Sequence, residues 1–253
     1  MWKAKFNAFL IHFFITALVA LVAAVLVFKL WFPAPFSEMM GGTELFMLVV
    51  GCDLILGPLL SFIIYNPSKN VKILLADYAV VIVLQLGALV YGILVVAEAR
   101  PAFLVFTVDR YVMVSAGELP PDELQKAIIP KWQSAPLIGY HTVYVEPVTN
   151  PDEKYSLIMS ALGGGQDLQH LVKNYRAVPA YADQILSYAR SLEELRKQPE
   201  IAKKLDETLA GIDRTEDELL WLPVEARKIF WVVLVDRKTA MPVAWINQDP
   251  FSN

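Results

Sequence analysis

The sequence predicts a membrane protein with three N-terminal transmembrane α-helices and a C-terminal α+β domain built on an antiparallel sheet. Three observations predict it. Three long apolar runs occupy the first hundred of the 253 residues, and runs of ~20 apolar residues have the length that crosses hydrocarbon. Charge is divided unevenly, with 5 Lys/Arg and 4 Asp/Glu up to Ala97 against 17 and 22 from Glu98 onward. Beyond the last run, β-branched and aromatic segments alternate with stretches of helical periodicity. The expected division is therefore 1–98 for the membrane region and 99–253 for one further domain with its own core.

The first run extends from about Phe9 to Phe32, preceded by Lys3 and Lys5. A signal peptide also begins with basic residues, but its apolar region is only ~7–15 residues long, so the reading here is a retained span. The second run extends from about Thr43 to Tyr65 and the third from about Asp77 to Ala97. The loop between the first two has Glu38 and no Lys or Arg, whereas the loop between the second and third has Lys69 and Lys72. Basic loops stay in the cytoplasm. The expected topology is a cytoplasmic N-terminus, an outer loop at Pro33, an inner loop at Lys69, and residues 99–253 outside.

Asp53 sits in the middle of the second run, where a carboxylate is costly unless it faces protein or water. Gly57 lies four residues on, on the same face, with Pro58 beside it. In the third run Gln85, Ala88 and Gly92 recur at helical spacing, and small residues let helices approach closely. Asp53 and Gln85 fall ~15 and ~18 Å below the outer ends of their spans, a depth at which Asp53 is expected to be protonated or hydrogen-bonded and to partner Gln85. Three roles stay open for this seam: packing within the protein, gripping another membrane helix, or a proton or ion path, which ordinarily needs more than one ionisable group. His12, near the inner end of the first run, reads as a solvated side chain.

In the outer domain, Phe103–Val108 and Tyr111–Ser115 flank Asp109-Arg110 as a hairpin or a bent strand. His141–Val145 is a further strand. Ile229–Val235 and Met241–Ile246 flank the turn from Asp236 to Thr239 as a second hairpin, expected to pair with the first. Asn150-Pro151-Asp152-Glu153 opens a helix running through Leu162. Ala182–Gln198 reads as one helix ended by Pro199, residues 201–212 as its partner, and Thr215-Glu216-Asp217-Glu218 as the capping box of a short third helix. The three consecutive glycines from Gly163 read as a connection, since no Lys-Thr pair follows them.

The mildly acidic outer domain has no basic stripe, which argues against nucleic-acid binding. Cys52 is the sole cysteine, so there is no internal disulfide and no cysteine metal cluster. The outer domain's histidines, His141 and His170, lack the base–orienter pattern of a nucleophilic site and the carboxylate spacing of a metal site, and no cofactor is expected. The chain reads as a non-enzyme.

From about Phe6 to Ser115 the chain carries Gly42, Glu44-Leu45-Phe46, Asp53, Leu56-Gly57-Pro58, Asn66-Pro67, Lys69, Asp77, Gln85-Leu86, Ala88-Leu89, Tyr91-Gly92, Arg100-Pro101 and Asp109-Arg110. Through these this stretch resembles the TfpX/TfpZ family of type IV pilin accessory proteins. The distal half matches more loosely, through Trp231, Asp236 and Pro242. The resemblance implies an inner-membrane protein of a Gram-negative bacterium, with a periplasmic domain, that helps the major pilin into the fibre. The alternative class is a membrane-anchored sensor or regulatory subunit whose outer domain binds a ligand.

Overall fold

The computed structural model describes residues 2–252. The chain forms two compact units, Met1–Ala99 and Arg100–Asn253. The first holds three helices long and apolar enough to cross a membrane, Trp2–Trp31, Gly42–Ile64 and Val71–Glu98. In detail these are α1 (Trp2–Leu26), which continues as a π-helical turn over Val27–Trp31, α3 (Gly42–Ile64) and α4 (Val71–Glu98), with the single turn α2 (Phe36–Met39) between the first two. All three begin before the apolar runs do. Lys3 and Lys5 are helical at the start of α1, and α4 is capped by the Asn70 side chain, which accepts from the Lys72 amide.

α1 and α3 lie antiparallel. Trp2 meets Phe62 at a ring separation of 5.4 Å at one end, and Phe28 meets Phe46 at 5.2 Å toward the other. α3 and α4 are also antiparallel, because Gly57 faces Gln85 whereas Gly92 faces Val49. Most of the large side chains of these helices are exposed: Leu18, Leu48, Val83 and Tyr91, for instance, are all more than 60% exposed. In a protein with an α+β domain of ordinary polarity, apolar helices exposed on this scale belong in lipid.

The second unit is an α+β domain with strands β1 (Pro101–Thr107), β2 (Arg110–Ser115), β3 (His141–Val145), β4 (Tyr175–Ala177), β5 (Leu219–Glu225), β6 (Phe230–Asp236) and β7 (Pro242–Ile246). They form one seven-stranded sheet ordered β4-β3-β1-β2-β5-β6-β7. The sheet is mostly antiparallel but mixed, since β1 runs parallel to β3 and β2 parallel to β5. The two hairpins β1–β2 and β6–β7 form as expected, yet they do not pair with each other. β5 stands between them, antiparallel to β6 along its whole length. The capping box Thr215–Glu218 forms, but it closes one 3-10 turn that leads into β5 rather than into a helix.

The helices of this unit are α5 (Pro121–Leu124), α6 (Pro151–Leu162), α7 (Ala182–Leu186), α8 (Leu192–Arg196) and α9 (Pro199–Ala210). The single helix expected over Ala182–Gln198 is two short ones. Between them the Arg190 backbone exchanges both hydrogen bonds with Trp221 at 2.9 Å, and Ser191 caps α8. That bridge takes the place of helical hydrogen bonds at Arg190 and docks the segment on β5. Pro199, expected as a breaker, is the first residue of α9, where its missing N–H costs nothing.

Two apolar clusters hold the domain. Phe103, Val105, Val114, Trp132, Val143 and Tyr175 centre one on the β1–β3 half, and Leu195, Ile201, Leu205, Trp221, Val232 and Leu234 centre the other on the β5–β7 half. Burying a Leu or Ile such as Leu205 or Ile201 contributes roughly 1.5–3 kcal/mol. α6 is different: it buries no residue, and its stripe of Tyr155, Ile158, Met159 and Leu162 is exposed.

Candidate functional site

The polar seam of the helical unit is a cleft of about 200 Å³ among α1, α3 and α4, lined by His12, Thr16, Val50, Asp53, Gln85 and Leu89 with five apolar neighbours. Spacing places the groups there. Val50, Asp53, Gly57 and Ser61 fall three or four residues apart on one face of α3. A Cβ on Gly57 would overlap the Gln85 amide, so the missing side chain is what lets that amide lie across α3. One end of the seam is closed by His12, whose Nδ1 stands 2.5 Å from Oγ of the fully buried Ser61. His12 was expected to be solvated. Because α1 starts at Trp2, His12 instead lies about ten residues, or ~15 Å, along the helix. The hydroxyl of Ser61 on the Asp53 face was the sequence signal for this contact.

Asp53 and Gln85 share the cleft but do not bond to each other. Gln85 sits over Gly57, one turn beyond Asp53, and among the described residues no hydrogen bond or ion pair reaches the Asp53 carboxylate. Pro58 is buried inside α3 and removes one rung of its ladder beside this carboxylate. Gly92 is buried against Val49, whereas Ala88 is exposed and stands off the packed line, which runs instead through Val81, Gln85, Leu89, Gly92 and Val96.

The other motif residues serve separate local structures. Asp77, in the second turn of α4, pairs at 2.7 Å with Lys69 in the loop before that helix. Glu44 is exposed in the first turn of α3, and Tyr91 is exposed on α4. Pro101 opens β1, and Arg100 Nε donates to the Pro136 carbonyl at 3.0 Å. Burial lowers the Arg100 pKa. In the β1–β2 turn, Val108 has φ of +55°, a conformation uncommon for a β-branched residue. Arg110 closes this turn through Asp109 at 2.8 Å, reaches Glu225 at 3.5 Å and lies over the Phe230 ring at 5.1 Å. The bond to Asp109 raises the pKa of its guanidinium. Asp236 accepts from the amides of Lys238 and Thr239, both at 2.9 Å, and those bonds hold its carboxyl below its usual pKa.

A second concavity, about 720 Å³, lies in the second unit between the β1–β3 face and α6. Its walls carry Phe106, Arg110, Tyr144, Leu157, Ile158 and Tyr188. Among the described residues no group of three His, Cys, Asp or Glu is placed to hold a metal ion. His170 serves structure: its Nδ1 accepts from the Asp167 amide at 3.0 Å, and its Nε2 lies 3.4 Å from Glu118.

Three apolar helices around a polar cleft, followed in the chain by an α+β domain with its own groove, define a membrane protein with a folded domain beyond its spans. The chain belongs to the FimB family of fimbrial assembly proteins. The family model for fimbrial assembly protein FimB matches residues 1–41. The serogroup I fimbrial assembly protein of Dichelobacter nodosus is 31% identical over 247 residues, covering 96% of this chain and 95% of that one. The serogroup E1 protein of the same organism is 30% identical over 251 residues, with the same coverage of each chain. A shorter relative there, the fimbrial assembly protein of serogroups C1 and C2, is 40% identical over 127 residues, which is 50% of this chain and 95% of its own. No solved structure matches the chain.

Proposed function

We propose that this protein is a non-enzymatic membrane chaperone for type IV pilin. In this reading it holds a subunit in the inner membrane and passes it to the growing fibre. The observation that carries the proposal is the Asp53 carboxylate, unbonded among the described residues and lining a cleft between apolar helices. Such a group at mid-depth is stabilised when a partner helix brings a donor to it. The names of the relatives, spanning the length of both chains, point to fimbrial assembly. The narrower resemblance to the TfpX/TfpZ accessory proteins points to pilin as the client.

A membrane-held pilin has an apolar helix and a globular head. The cleft grips the helix, and the outer domain reads the head through the groove beside α6. Two weak contacts on one chain give avidity through effective concentration, yet each still releases. The proposal places the N-terminus and the Lys69–Lys72 loop in the cytoplasm and the α+β domain in the periplasm.

Photo-crosslinkers in intact membranes test it. A probe at Val19, on the cleft, and one at Leu162, on α6, should both yield adducts with pilin, whereas one at the lipid-facing Val83 should not. Asp53→Asn retains a polar amide and should keep the Val19 adduct, whereas Asp53→Leu should lose it. Absence of pilin adducts from both probes while pilin is abundant refutes the proposal.

A further inference from the structure

The outer unit carries an apolar tip whose place is fixed by the covalent chain. α4 ends at Glu98 and β1 starts at Pro101. Arg100, two residues past the span, donates to the carbonyl of Pro136. Two residues reach at most ~7 Å, so the Pro136 loop stays near the mouth of the third span however the domain leans. The sheet says the same independently. β3 runs parallel to β1, with His141 opposite Phe103, so the chain entering β3 lies at the end of the sheet where β1 begins.

At that tip Leu137 is 73% exposed and Ile138 is 66% exposed. Gly139, at φ +70°, turns the chain back, and Tyr140 follows with its ring edge-on to Trp245 at 6.4 Å. Adjacent large aliphatic side chains projecting from a loop, with a Tyr–Trp pair behind them, match the depth profile of a bilayer interface. Charge agrees. The domain is acidic as a whole, yet no Asp or Glu occurs between Glu123 and Glu146. Lys126 is paired with Glu123 at 2.5 Å, which leaves Lys131 as the cation of this segment, and a carboxylate-free segment that carries a lysine suits phosphate headgroups.

We infer that the loop from Ala135 to Tyr140 is a lipid-inserting tip, with Leu137 and Ile138 seated among the acyl chains at the mouth of the third span. This assignment does not depend on the client, since it concerns the protein and its bilayer alone.

Full-length protein in nanodiscs of phosphatidylcholine with phosphatidylglycerol tests it. In a Cys52→Ala background, single cysteines replace Leu137, Ile138 or Val108 and carry an environment-sensitive fluorophore. Val108 is the reference: it is 69% exposed and lies at the far end of β1, ~20 Å from Arg100. Nitroxide lipids labelled near the headgroup should quench the labels at 137 and 138 severalfold more than the label at 108, while aqueous iodide should do the reverse. Equal iodide quenching at the three positions overturns the inference. So does protection at 137 and 138 that arises only when pilin is added, which would make the tip a protein-docking site.

Discussion

The contact of α3 with α4 rests on a missing side chain, and Gly92 gives it a sharp test. A Cβ built there would overlap Cγ1 of Val49, with Cγ2 at 3.1 Å. Val49 is β-branched and stiff in a helix, so it cannot turn away as a long side chain would. Gly87, on the same helix, has nothing within 4 Å of its own Cβ position. Ala at either site gains the same helix propensity, about 1 kcal/mol, and that gain cancels in the comparison. What remains is overpacking, ~1–3 kcal/mol. Gly92→Ala should therefore be less stable than Gly87→Ala by that amount. Val49→Ala should relieve the overlap, so the pair should couple favourably by ~0.5–3 kcal/mol in a double-mutant cycle. The assay is reversible unfolding of the full chain in mixed micelles of increasing denaturing detergent. Equal stabilities for the two alanine variants, or no coupling with Val49→Ala, would refute the packing argument.

Two further outcomes concern the α+β domain. Tyr111 is fully buried, and its hydroxyl donates to the Ala240 carbonyl at 2.8 Å; Tyr111→Phe strips that donor and should cost ~1–3 kcal/mol, read as a lower denaturation midpoint of the full chain. Asp236 has a folded pKa below its ordinary value of about 4 because the Lys238 and Thr239 amides favour its charged form. Its stabilising contribution is thus present above the unfolded pKa and is lost as pH falls through the folded one. Asp236→Asn should lower the melting temperature at neutral pH and flatten the acid limb below about pH 4, in thermal melts across that range.

The membrane helices were legible because length and apolarity suffice to declare a span, and their starts were misjudged only where polar residues such as Lys3 and Lys72 are helical outside the apolar runs. Local hairpins were legible for a similar reason: Asp109-Arg110 and Asp236–Thr239 are turns flanked by β-branched runs. What joins the hairpins was not. β5 reads Leu-Leu-Trp-Leu-Pro-Val, with a proline and few β-branched residues, directly after a genuine capping box, so its strand character comes from pairing with β6 and β2. β4 is three residues long, too short to signal itself. At the cleft, the Asp53–Gly57 face was readable from spacing alone. The closure by His12 was only half readable: the Ser61 hydroxyl marks the acceptor face on α3, but its pairing with His12 depends on which helix α1 lies against, and the offset between Asp53 and Gln85 reflects a register that spacing within one helix does not set.

The mixed order of the sheet has a consequence for biosynthesis. Tyr111 of β2 takes Val224 of β5 as its neighbour, so an inner strand made early waits for one made more than a hundred residues later. Until then β2 presents an open edge, which invites wrong pairing. Closing so wide a loop is also slow. A nascent chain cut short before Leu219 would carry all three spans and no finished sheet. Completion of the α+β domain therefore reports that synthesis has reached the last strands, and a half-made copy cannot present a finished sheet.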